Sequence, residues 1–395
     1  MNNIKTIPSY VCTGCGACEN SCPQQCIHFQ LDSEGFWVPT INFDLCIDCG
    51  ICLANCPACN DGLSRSKVPV TKEAEIYAAW NKSQDILARS TSGGIFPALA
   101  EEVIRQKGII VGAAWQDDMT VRHIAVDKEA AIAKLQGSKY LQSRVGDMYS
   151  TVERLLREDR LVLFSGLPCQ IAGLNSYIEH QKNPNRVNLI TCQLVCYGVP
   201  SDSVFRKYIS HIENRYGSPI KSYCFRDKKV GWRTYGVRAI FENERQYSSK
   251  GENDPFMIGF QKALYFRSSC YQCRYKGFPI CADIALGDFW HVNECDNSLA
   301  GIDGISLVVI QTEKGGNLFN SIKDRLVSKQ QTLETAISCN PSLVSCARLK
   351  SDRKKFFYDI DAHGYEYCVR KYTQRSTFLR RILVNLNGRL RKWIK

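Results

Sequence analysis

The sequence predicts an α+β protein: a small cysteine-rich N-terminal module, a mixed α/β body behind it, and a basic amphipathic helix at the C-terminus. Three observations predict it. One cysteine pattern occurs twice within the first 60 residues. Between residues 75 and 311, apolar runs of strand length alternate with stretches of helical periodicity. From Arg370 to Lys395 there are nine Lys or Arg residues and no acidic one.

The module comes first. Cys12, Cys15, Cys18 and Cys22 precede Pro23, and Cys46, Cys49, Cys52 and Cys56 precede Pro57. Each run reads C-x2-C-x2-C-x3-C-P, the pattern of a bacterial-type ferredoxin with two 4Fe-4S clusters. Three cysteines two residues apart wrap one face of a cubane, and the fourth, before a proline that stops the chain turning back, reaches the other cluster. The expected ligands are Cys12, Cys15, Cys18 and Cys56 for cluster 1, and Cys46, Cys49, Cys52 and Cys22 for cluster 2. Zinc also uses C-x2-C pairs, but four thiolates per run, duplicated and each followed by proline, weigh against it. The module is expected over residues 1–62.

At 395 residues the chain has room for about two further domains, and 44% hydrophobic content allows a sizeable core. Met1 to Tyr10 has one lysine and no apolar segment of the signal-peptide kind. With 21 cysteines, several set out for iron, a reducing compartment is expected, which favours the cytoplasm. No uncharged apolar stretch approaches the length of a membrane span.

The body follows a polar linker at 64–71. A strand is expected at Glu75 to Trp80, then a loop at Ser90 to Gly94 and a helix from Ile95 to Gln106. Ile109 to Trp115 reads as a buried strand, as do Arg160 to Ser165, Arg186 to Leu194 and Ile305 to Gln311, and a helix starts near Gln170. The expected divisions are 72–155, 156–330 and a basic region at 331–395. In the last, Leu379, Ile382, Leu383, Leu386, Leu390, Trp393 and Ile394 share one helical face and the basic residues take the others, as on a helix lying on an anionic membrane surface. A helix docked on its own protein is the alternative, and nucleic acid ranks below both.

Several kinds of chemistry stand out in the body. The loop Arg89-Ser90-Thr91-Ser92-Gly93-Gly94 opens onto a helix, where outward-facing N–H groups would hold a phosphate; many such loops simply cap a helix. Gly137-Ser138-Lys139-Tyr140 places a cation and a hydroxyl in a short loop. Cys169, at the strand-to-helix turn Gly166-Leu167-Pro168-Cys169, would have its thiolate stabilised by the helix dipole, whether as a cluster ligand, a redox thiol or a buried structural cysteine. Cys270-x2-Cys273 with Cys281 lacks a local fourth ligand, which Cys169 or Cys196 would supply to make a third cluster; zinc and plain buried thiols stay open. Ala282 to Trp290 and Phe225 to Arg233 add carboxylates, clustered charge and aromatic faces suited to a planar cofactor, or to a solvated turn beside a core strand.

Together these stretches resemble the coenzyme F420 (deazaflavin) hydrogenase/dehydrogenase beta-subunit family, whose members include a plant hydroxymethyl-chlorophyll reductase. The matching runs are STSGGIF at Ser90, GSKYLQS at Gly137, GLPCQIAGL at Gly166, CYGVPS at Cys196, FRDKKVGW at Phe225, SCYQCRY at Ser269 and DIALGDFW at Asp283. The resemblance implies an FAD-containing iron–sulfur oxidoreductase fold, with Ser92, Gly93, Gly94 and Lys139 as FAD-binding positions and Cys270, Cys273 and Cys281 at a cluster. Tyr197 stands where the family commonly has histidine, so a proton-transfer role does not carry over there. After about Thr312 no further family motif is apparent.

The expected function is an oxidoreductase that passes electrons between ferredoxin-type clusters and FAD to reduce or oxidise a small organic substrate. Its donor would be a redox partner protein, reduced ferredoxin or a deazaflavin. A non-catalytic electron-transfer subunit serving a partner enzyme is the second reading. A metal-stabilised membrane or nucleic-acid adaptor is the third.

Overall fold

The computed structural model describes residues 2–59, 73–181, 185–232, 234–300, 302 and 304–373. The linker expected at 64–71, Arg233 and the basic amphipathic helix expected in the C-terminal region beyond residue 373 lie outside the described residues.

The module is two near-equivalent halves. Left-handed Gly16 and Gly50 (φ +87° and +77°) launch the short helices α1 (Ala17–Ser21) and α2 (Ile51–Ala54) directly after a C-x2-C turn. A glycine takes that φ without strain, so each C-x2-C-x2-C run closes on itself. Strands β1 (Ile27–Leu31) and β2 (Trp37–Ile41) pair antiparallel beneath them.

The body is built on one eight-stranded sheet. Strands β3 (Glu75–Asn81), β4 (Ile109–Trp115), β5 (Val121–Val126), β6 (Val162–Gly166) and β7 (Leu189–Leu194) supply five. A separate antiparallel sheet of β8 (Ile220–Asp227), β9 (Gly236–Phe241) and β10 (Gln246–Lys250) intervenes, and β11 (Ile284–Asp288), β12 (Ser306–Ile310) and β13 (Leu326–Gln331) complete the large one. Its order is β13-β3-β12-β11-β7-β6-β4-β5, with β4, β6, β7 and β11 parallel and the outer strands antiparallel. The expected segments 72–155 and 156–330 thus share one sheet. The parallel strands are near-continuous apolar runs, as strands buried on both faces must be; every residue of β6 is buried.

Helices α3 (Gln84–Arg89), α4 (Ile95–Arg105), α5 (Ile132–Leu135), α6 (Met148–Arg157), α7 (Pro168–Glu179) and α8 (Asp202–Tyr216) follow the first strands. Later come α9 (Pro255–Gln261), α10 (Val292–Cys295), α11 (Glu313–Asn320), α12 (Leu333–Cys339) and α13 (Arg353–Cys368), the last interrupted at Gly364. Among the described residues no helix is long and apolar enough to cross a membrane. Most elements fall where the sequence places them. Helix α7 starts at Pro168, two residues before the expected start, because proline at its first turn has φ set for a helix and no N–H to lose.

One buried histidine gives the fold a pH dependence. His123 on β5 is 5% exposed; its Nε2 faces the Ser165 carbonyl at 3.0 Å and its Nδ1 the Ser143 hydroxyl at 2.9 Å. A carbonyl only accepts, so Nε2 carries the proton and the neutral ring serves both partners. Burial pushes its pKa down to about 4. Below about pH 6.5 the unfolded chain binds a proton that the folded chain refuses, so stability falls as pH drops through this window. Between about pH 6.5 and 5 the loss is about 2 kcal/mol, measurable by denaturant unfolding. His123→Asn should flatten this slope; an unchanged slope would assign it to other groups.

Candidate iron–sulfur centres and cofactor site

The module's eight pattern cysteines gather around two hollows. One is lined by Cys12, Cys15, Cys18 and Cys56, with Ile4, Phe29 and Pro57 among its walls. The other is lined by Cys22, Cys46, Cys49 and Cys52, together with Cys26. Cys22 and Cys56, the last cysteine of each run, therefore cross to the opposite half. The repeated pattern does not anticipate Cys26; its Sγ lies 3.3 Å from Cys22 Sγ. Among the described residues no three His, Cys, Asp or Glu side chains converge closely enough to hold a single metal ion. A tetrahedral zinc thiolate, with Zn–S bonds of about 2.3 Å, needs that convergence, whereas sulfurs ringed about a hollow suit a polynuclear cluster. Burial raises the thiol pKa of Cys15 to about 11, and burial with neighbouring thiols raises that of Cys18 well above its ordinary value. Such thiols ionise when a metal compensates the charge.

A second thiol group lies in the body. Parallel strands deliver their carboxyl ends to one edge of the sheet, where α/β sites form. Cys169 follows β6 and Cys196 follows β7, and both meet the Cys270–Cys273 turn. Burial and then the thiols of Cys273, Cys196, Cys15 and Cys270 raise the Cys169 pKa, and burial with Cys196 and Cys273 raises that of Cys270. The Val199 N–H points at Cys270 Sγ at 3.4 Å. Cys169 and Cys196, expected as alternatives, thus come to the Cys270–Cys273 pair together. Cys281 is held differently: its N–H donates to Gln193 Oε1 (3.1 Å), its carbonyl accepts from Asn175 Nδ2 (2.9 Å), and the residue is 1% exposed in the core beside β11. Burial and neighbouring thiols hold the Cys169 pKa well above the ordinary value. Arg267 Nε and the Tyr275 hydroxyl are buried near this group without hydrogen-bond partners. Orphaned donors beside four thiols suit a group with acceptor sulfurs.

Hydrogen bonds join the two thiol groups through residues at or beside each cysteine. Ser269 Oγ donates to the Cys12 carbonyl (3.0 Å), and Arg274 Nη1 to the Ala58 carbonyl (3.0 Å). The Tyr149 hydroxyl sits between the Cys15 and Gln170 carbonyls, 2.7 Å from each. Gly173 on α7 lets Cys15 in close: a β-carbon there would lie 3.1 Å from Cys15 Sγ. Further bonds fix the module, from Gln142 Nε2 to the Thr13 carbonyl (2.8 Å) and from Arg353 Nη1 to Glu34 Oε1 (2.8 Å).

Four motifs meet beyond this group. Ser138 Oγ reaches Thr91 Oγ1 at 3.2 Å, and Lys228 Nζ donates to the Ser92 carbonyl at 2.9 Å. Arg226 Nη1 bonds both the Tyr140 hydroxyl (3.2 Å) and Asp288 Oδ2 (3.0 Å), and Trp232 Nε1 donates to Asp288 Oδ1 (3.2 Å). The guanidinium lies over Tyr235 and Trp290 at 4.4 and 4.9 Å, and Trp290 stacks on Trp232 at 5.0 Å. Burial alone would depress the Arg226 pKa, but Tyr140 and Asp288 together hold it above the usual value. Arg226 Nη2 and Ser90 Oγ are buried without partners.

The residues expected to bind FAD are bonded to the protein as follows. The Gly93 N–H does not face outward; it donates to Ser306 Oγ at 2.8 Å, and a β-carbon there would lie 2.4 Å from the Ala79 carbonyl. Ser92 Oγ donates to the Ile305 carbonyl at 3.0 Å, so both residues fasten the loop to β12. Gly94 takes φ +72° to start α4. Half-buried Lys139 turns its amine onto the carbonyls of Leu135, Gln136 and Gly137, closing the end of α5, and burial lowers its pKa to about 8. Tyr197, in place of the family's common histidine, donates to the Gln261 carbonyl at 3.2 Å.

Two family models match separate segments of the chain. Residues 11–60 match the 4Fe-4S dicluster domain, and residues 159–335 match the C terminus of the coenzyme F420 hydrogenase/dehydrogenase beta subunit. No curated protein matches. A chain of the xenon-derivatised F420-reducing NiFe hydrogenase complex from Methanosarcina barkeri superposes with a TM-score of 0.45 at 18% identity, over 66% of this chain and 82% of that one. The chain therefore carries a 4Fe-4S dicluster domain at residues 11–60, and its residues 159–335 match the C terminus of the coenzyme F420 hydrogenase/dehydrogenase beta subunit.

Proposed function

We propose that the protein is a flavin-dependent iron–sulfur oxidoreductase in which electrons run from cluster 2 through cluster 1 and a third 4Fe-4S centre to FAD. The observation that carries this reading is the set of hydrogen bonds joining the segments of Cys12, Cys15 and Cys56 to those of Cys270, Cys169 and Cys273. The third centre would be held by Cys169, Cys196, Cys270 and Cys273, at the carboxyl ends of β6 and β7. Cluster 2 is the outer terminal, since Cys49 is exposed.

FAD fits the meeting point of the four motifs, where Arg226 Nη2 and Ser90 Oγ lack partners and Tyr235 and Trp290 offer aromatic faces. When bound, it would convert single electrons into a two-electron step on an organic substrate. The chain's own share is to keep Arg226 charged and oriented through Asp288, and to hold the Ser90–Gly94 loop against β12. The test is anaerobic titration of the purified protein with a one-electron donor. Cluster signals should appear in the reduced protein and flavin absorbance should bleach with them; clusters that reduce while a bound flavin stays oxidised would refute the route.

A second reading, an electron-transfer subunit serving a partner enzyme, draws on the apolar surface around cluster 2. Phe43, Leu45, Ile47 and Ile51, beside Cys46 and Cys49 in sequence, are all exposed. A stable complex isolated from native extract would favour it. Both readings share the same centres.

A further inference from the structure

We propose that Cys295 and Cys339 form a redox-active thiol pair, a disulfide-forming site that ties the segment following Trp290 to helix α12. The inference goes beyond the proposed electron route and does not rest on it, since neither cysteine belongs to a proposed cluster set.

The two sulfurs lie 3.5 Å apart, across 44 residues of sequence. Cys295 ends α10 and is exposed, while Cys339 ends α12 and is 5% exposed. A disulfide needs about 2.05 Å, so a side-chain adjustment closes the gap. The backbone is already fixed on both sides. Asp296, next to Cys295, accepts from Lys329 Nζ (2.9 Å) and Gln331 Nε2 (3.0 Å) on β13. Asn340, next to Cys339, donates through Nδ2 to the Asp288 carbonyl at 2.9 Å. The thiols are therefore held face to face before any bond forms, which removes most of the ordering cost of joining them. A metal site is the competing use of two cysteines near His291 and Glu294. Yet His291 Nδ1 is engaged with Glu294 Oε1 at 2.8 Å, and no third ligand converges among the described residues.

The pair is asymmetric, and this sets the order of events. Burial, with Cys295 beside it, pushes the Cys339 thiol up to about 12, leaving the exposed Cys295 as the nucleophile. With a small disulfide such as oxidised glutathione as oxidant, the Cys295 thiolate attacks one sulfur and releases one glutathione thiolate, leaving a mixed disulfide. Cys339 then gives its proton to water and attacks the Cys295 sulfur, releasing the second glutathione. Two protein thiols are oxidised to one disulfide and one glutathione disulfide is reduced to two thiols. The bond would lock both flanks of Asp288 to Trp290, the segment that holds Arg226.

The experiment treats anaerobically prepared holoprotein with oxidised glutathione, alkylates free thiols, digests, and identifies linked peptides by mass spectrometry. The expected result is a Cys295–Cys339 linked peptide pair, separable by dithiothreitol, with the iron content unchanged. Cys295→Ser should abolish the link, and Cys339→Ser should stop at the mixed disulfide on Cys295. Complete alkylation of both cysteines, or a persistent glutathione adduct on Cys295 with Cys339 alkylated in the wild-type chain, would overturn the proposal. The wild-type result decides the matter even if the Cys339 variant fails to fold.

Discussion

Replacing Cys169 with alanine is expected to remove about four iron atoms per chain, from about twelve to about eight, while Cys281→Ala leaves the iron count unchanged. The contrast follows from where the chain puts each thiol. Cys169 stands at the first turn of α7 within electrostatic reach of Cys273, Cys196, Cys15 and Cys270, whereas Cys281 is fixed through its backbone to Gln193 and Asn175. The Cys169 variant should keep the electron paramagnetic resonance signals of the module's clusters. Its transfer of electrons onward to flavin should fall at least about a hundredfold, because the route loses its middle member. Iron analysis with spectroscopy of the reduced protein measures both. Loss of iron from the Cys281 variant with retention in the Cys169 variant would restore the assignment drawn from sequence proximity.

The second large effect is on stability. Asp288→Ala should cost about 3–5 kcal/mol, because it leaves a buried guanidinium without its carboxylate. The Arg226 side chain is 2% exposed and that of Asp288 18%, and the same carboxylate also receives Trp232 Nε1. The double change Arg226→Met with Asp288→Leu should recover much of that loss, since removing both charges removes the uncompensated one. Denaturant unfolding of the two variants measures the difference. Equal losses would mean that packing of Trp232 and Trp290, rather than charge, dominates the site. Flavin retention should fail in both, because both lack the Arg226–Asp288 arrangement.

The fold was largely legible in local pattern. Strands such as β4 and β6 are continuous apolar runs that end at Gln116 and at the Gly166 turn, and the paired C-x2-C-x2-C-x3-C-P runs place their crossing cysteines through chain geometry alone. What stayed illegible depended on partners distant in sequence. Gly93 looks like a phosphate-loop glycine until β12, more than two hundred residues on, places Ser306 Oγ on its N–H and leaves no room for a β-carbon. The place of Cys281 also depends on a distant partner: the run into β11 pairs the neighbouring Asp283 with Thr191 (2.7 Å to its N–H and its hydroxyl) and buries Cys281 in the core cluster against which Cys169 and Cys273 pack. Lys139 is a local case: its amine reaches three carbonyls at the end of α5, two to four residues back in the chain. Cys26 and the Cys295–Cys339 pair carry no sequence signal at all, since only folding sets those sulfurs side by side.

The most direct test of the central claim is anaerobic purification followed by iron, sulfide and flavin quantification with an absorbance spectrum. The protein should carry about twelve iron, about twelve sulfide and about one FAD per chain. About eight iron with no flavin would contradict it, leaving the module's two clusters and a body in which Cys169, Cys196, Cys270 and Cys273 are only buried thiols.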